Sequence, residues 1–111
     1  MIDDKQQRAL ACRVLLATVG LERLWTRSGP TDEAFTLLAV GLPPLAANER
    51  VMLLATWAIW NGSGSITLAE IIDHLGSEAL DVLCFLLMAS KYGPEAVDDW
   101  LADHGRRVAA A

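Results

Sequence analysis

The stretch Arg50–Gly62, RVMLLATWAIWNG, constrains the fold most. From Val51 to Trp60 only Thr56 is polar, so a helix here is apolar on every side and must be covered all round. This run and the one from Val82 to Ala89 are about half of the roughly 20 residues a bilayer needs. The cover must therefore come from other helices of the chain. A length of 111 residues suits one helical domain, 1–111, and an apolar content of 53% rules against general disorder.

The flanking sequence supplies those helices. Asp3 to Thr26 reads as one long helix, with Leu10, Val14, Ala17, Leu21, Leu24 and Trp25 on one stripe. Cys12, Leu15, Leu16 and Val19 fall on the opposite side, bordered by Arg8 and Arg23. A surface helix needs one apolar stripe and this one has two. Either it runs through the middle of a bundle, or the second stripe docks on another chain.

Arg27–Thr31, RSGPT, is a turn, and a short helix follows from about Asp32 to Val40 with Thr31 or Asp32 as its N-cap. Gly41 and the pair Pro43–Pro44 end it, and Asn48 is placed to cap the central helix. After a Gly/Ser-rich loop, Thr67-x-x-Glu70 has capping-box spacing and starts a helix to Leu75. The next helix runs from Ser77 to about Tyr92 and is apolar nearly all round, which predicts burial beside the central one. Gly93 closes it, and Pro94 opens a last helix that Gly105 ends, with 106–111 a frayed, disordered tail. The expectation is an all-α bundle of about six helices, two of them buried centrally, with no convincing strand.

Charge excludes some functions. The net charge is −5, and from Ile66 to His104 eight acids face Lys91 alone. That half should repel nucleic acid and anionic lipid. Asp3 and Asp4 stand where a secretory signal would be basic and then apolar. Cys12 and Cys84 read as free, buried thiols of a cytoplasmic protein.

One loop carries a chemical hint. IWNGSGSITLAE, Ile59 to Glu70, has Asn61, Ser63 and Ser65 at alternate positions around Gly64, then Ile66, Thr67 and Glu70. Set on Gly64 as the sixth-position glycine, the segment resembles the loop of an EF-hand. The resemblance implies calcium ligands at Asn61, Ser63, Ser65, Thr67 and Glu70. Ile59 stands in place of the opening aspartate, which leaves Glu70 the only carboxylate. A loop followed by a capping box explains the same residues without metal, so no metal is expected and calcium is the alternative. The related segment Leu24–Phe35 reads as a turn.

A helix-turn-helix is a further alternative, with Ile66–Gly76 followed by Ser77–Ser90 as the reading helix. That helix offers leucines, Glu78 and Asp81 where base edges require Arg, Lys, Asn or Gln. His74 and His104 each sit at a helix end, where an imidazolium suits the dipole. Two histidines and two cysteines in unrelated places make no zinc pattern, and no serine or cysteine lies in a nucleophile motif. The expectation is thus a small acidic interaction or adaptor module without catalysis or cofactor, homodimeric in one form. Its candidate surface is Arg8, Cys12, Leu15, Leu16, Val19 and Arg23, and its partner a protein rather than nucleic acid or membrane.

Overall fold

The computed structural model describes residues 2–41 and 44–105. Six helices carry the fold: α1 (Lys5–Ala17), α2 (Asp32–Ala39), α3 (Ala47–Asn61), α4 (Leu68–His74), α5 (Ser77–Tyr92) and α6 (Pro94–His104). A single turn of 3₁₀ helix, Glu22–Leu24, and a two-residue hairpin, β1 (Trp25–Thr26) with β2 (Gly29–Pro30), lie between α1 and α2. The all-α, single-domain expectation holds. Pro43 and the tail 106–111 lie outside the described residues.

The first helix is shorter than its stripe predicts. Asp4 caps it, its carboxylate accepting the Gln7 amide at 2.8 Å. It stops because Gly20 takes φ +76°, a left-handed conformation that glycine adopts without strain. The Gly20 amide then donates to the Ala17 carbonyl and the Leu21 amide to the Leu16 carbonyl, a Schellman closure. Leu21, Leu24 and Trp25 still reach the core, but through the turn and hairpin. The hairpin brings Gly29 beneath Trp60, where a Cβ would come within 2.7 Å of the indole ring.

Other boundaries follow local chemistry. Thr31 caps α2, accepting from the Ala34 amide, and Thr67 caps α4. Asn48 is not the cap of α3. The helix starts two residues earlier, and Glu49 reaches back to accept the Ala46 amide at 2.8 Å. Gly62, at φ +74°, ends it. Pro94 occupies the first turn of α6, where its missing N–H is no loss.

The core sits between α1 and α3. Ala9, Ala11, Cys12, Leu15 and Leu16 of α1 are buried, as are Val51, Met52, Leu53, Ala55 and Thr56 of α3. Around this pair, α6 packs on both α1 and α5, and α4 leans on α3. Trp100 of α6 is buried and donates its indole N–H to the Val82 carbonyl of α5 at 3.2 Å. Gln7 uses both hydrogens of its amide to join α1 to α6, at 2.9 Å to the Pro94 carbonyl and 2.9 Å to an Asp98 carboxylate oxygen. The two central helices are therefore α1 and α3. Only one side of α5 is buried, that of Ala79, Val82, Leu83, Leu86 and Ala89.

Candidate functional site

The predicted contact surface on α1 is core. Cys12, Leu15 and Leu16 each have 0% of their surface exposed, because α3 packs against α1 and covers the stripe. Val19 is half-buried against the same cluster. Arg8 is no rim residue either: its guanidinium lies 5.0 Å from the centroid of Trp60, a cation–π contact, and Trp60 meets Trp25 edge-on at 5.8 Å. Arg23 is exposed and pairs with Glu33 at 3.4 Å. The six residues do not form one surface.

Large apolar side chains are exposed in pairs at Phe35 and Val40 by α2 and at Leu68 and Ile72 on α4, and in the longest run, of four, on α5. Phe85, Leu87, Met88 and Tyr92 are 54%, 54%, 55% and 80% exposed, and Cys84 beside them is exposed as well. At about 100° per residue Cys84, Met88 and Tyr92 point away from Val82, Leu86 and Ala89, with Phe85 and Leu87 at the two edges of the face. Phe85 also forms one wall of a groove of about 420 Å³ against α6, whose other side carries Asp99, Trp100, Asp103 and His104. Isolated apolar residues on a surface are ordinary, but a contiguous helical face is a docking feature.

Sequence reasoning missed this face by taking an apolar helix for a buried one. A signal was present. Asp81 and Lys91 stand on the same side of α5 as Cys84 and Met88, and both are exposed. Burying two separated charges is expensive, so a face holding both must reach water or a complementary partner.

The two cysteines differ in environment. Burial pushes the Cys12 thiol up to about 12 from an ordinary value of 9.0, against the opposing effect of the Arg8 charge. The thiol donates weakly to the Thr56 carbonyl at 3.8 Å. Cys84 is exposed, contrary to the expectation of two buried thiols. A neutral-form preference in the native state adds nothing below pH 9, where the unfolded thiol is protonated too. Between pH 9 and about 12 the unfolded chain ionises first, so stability falls as pH rises. From pH 9 to 11, Cys12→Ala should lose less stability to urea than the wild type, by about 1 kcal/mol per pH unit.

The loop after α3 is built from its own hydrogen bonds. Helix α3 continues to Asn61, whose side-chain oxygen accepts from the Ser63 amide at 3.0 Å and the Ser63 hydroxyl at 3.1 Å. The Thr67 hydroxyl accepts the Glu70 amide and donates to one Glu70 oxygen, both at 3.1 Å. The other Glu70 oxygen is 3.8 Å from Arg50, and Ser65 is exposed. Of the five residues that the EF-hand resemblance selects, the loop thus pairs Asn61 with Ser63 and Thr67 with Glu70.

The remaining candidates are scattered. His74 is exposed in the last turn of α4, while the His104 ring tilts against Trp100 at 5.2 Å. Among the described residues no three His, Cys, Asp or Glu side chains converge as a metal site. None of their helices is long and apolar enough to cross a membrane. No family model matches the chain, and neither a curated protein nor a solved structure matches it.

Proposed function

We propose that the protein is a non-catalytic interaction module whose contact element is the outer face of α5. The exposure of Phe85, Leu87, Met88 and Tyr92 along one side of a single helix carries this reading. Helix-to-helix docking is the recognition mode such a face fits, with side chains one helical turn apart acting as anchors. The acid-rich half that surrounds the face disfavours nucleic acid and anionic membrane, which leaves another protein. Its two free thiols suit a reducing compartment, so the cytoplasm is the proposed setting.

The reading is tested by placing a photoreactive benzophenone side chain at Met88 and, as a control, at the polar position Gln6 on α1, both exposed. Illumination in the cell of origin should give a protein adduct from position 88 and none from position 6. No adduct from position 88 overturns the reading.

A further inference from the structure

We infer that the occupant of the α5 face is a second copy of the chain, its α5 lying antiparallel to the first about a two-fold axis level with Leu86. The inference rests on the proposal that α5 is a contact element, and specifies what it contacts.

The pattern of the face carries it. Asp81, Cys84, Met88 and Lys91 are spaced three, four and three residues apart, the seam spacing of two packed helices. They span an arc of about 80° on the side of α5 away from the core. Their positions are symmetric about residue 86. In an antiparallel pair, Asp81 then lies level with Lys91 of the second copy, and Lys91 with its Asp81. Cys84 lies level with Met88 of the second copy, again twice. Phe85 and Leu87 flank the seam on opposite sides, so each meets its own copy near the axis.

A parallel pair would instead set Asp81 against Asp81 and Lys91 against Lys91. Like charges facing across a seam select against that arrangement. Among the described residues neither Asp81 nor Lys91 forms an ion pair within its own chain, so both are available. An antiparallel two-fold contact also closes on itself, giving a dimer rather than a filament. The seam from Asp81 to Lys91 is only about 15 Å long. Asp99 and Asp103, beyond Phe85, fall on the same side of the axis in both copies. Short length and these acids keep the dimer weak, with a Kd on the order of micromolar.

Charge exchange tests the register. By sedimentation equilibrium at roughly 100 μM, some hundredfold above the expected Kd, the wild type should be a dimer. Asp81→Lys and Lys91→Asp each replace two opposite-charge contacts with two like-charge ones, and each should raise Kd by about tenfold to a hundredfold. An equimolar mixture of the two variants should recover the dimer, because every seam charge then meets its opposite. Both positions are exposed, so the circular dichroism spectrum of each variant should match the wild type, as should its Tm at concentrations well below the wild-type Kd, where every chain is monomeric. Oxidised Met88→Cys should form a covalent dimer through Cys84.

A wild type that stays monomeric at that concentration overturns the inference. So do variants that dimerise as well as the wild type, or a mixture that does not recover. A monomer whose benzophenone adduct at position 88 carries a different protein refutes the second copy and leaves the contact reading standing. A monomer with no adduct refutes both.

Discussion

Leu15→Glu should unfold the protein. Leu15 has no exposed surface and lies in the packed seam between α1 and α3. Replacing it removes a buried leucine, a loss of about 2–3 kcal/mol, and puts a carboxylate where water is absent. That group must either stay ionised without a partner or take up a proton well above its ordinary pKa, and both outcomes destabilise by several kcal/mol. The sum is about 5 kcal/mol or more, against a total stability for such a domain of about 5–15 kcal/mol. The variant should show little helical circular dichroism and no cooperative thermal transition at neutral pH. A folded, monomeric Leu15→Glu would mean that α1 faces outward after all.

Trp25→Ala should be the most damaging truncation in the core. Trp25 is 1% exposed, and its ring meets Trp60 edge-on at 5.8 Å with the planes 82° apart. Deleting it leaves a void that the hairpin and α1 can only partly fill, for a loss of about 3–5 kcal/mol. The aromatic pair adds about 1 kcal/mol within that figure. Trp25→Phe separates the contributions. The Trp25 indole N–H is buried with no hydrogen-bond partner among the described residues, so removing it forfeits no bond. The phenylalanine variant should lose only about 1–2 kcal/mol, for the smaller ring. Urea unfolding followed by circular dichroism measures both. Equal losses in the two variants would show that the N–H matters and the volume does not.

Much of the helical layout was legible in the sequence because its punctuation is local. Thr31, Thr67 and Pro94 start helices through their own side chains, and Gly62 ends one through its own dihedral. The apolar run of α3 also told its location, since a helix with no polar side has few places to be. Gly20 was harder. A single glycine inside a helical pattern is tolerated, and Leu21, Leu24 and Trp25 happened to continue the stripe beyond it. That α5 rather than α1 kept its second apolar face outside was signalled only by Asp81 and Lys91 on that face. Periodicity states which positions are apolar; only the packing of α3 and α6 decides which of them are covered.

The Gln7 amide has a consequence for how the chain comes together. It reaches partners 87 and 91 residues downstream, so the native surroundings of the earliest helix are finished by the last. A ribosome extends the chain by some 5–20 residues each second, so α1 waits several seconds for α6 to emerge. Until then the groove that α6 will fill lies open to other nascent chains and to chaperones. Assembly should consequently behave as a single late event rather than a gradual growth from the amino terminus.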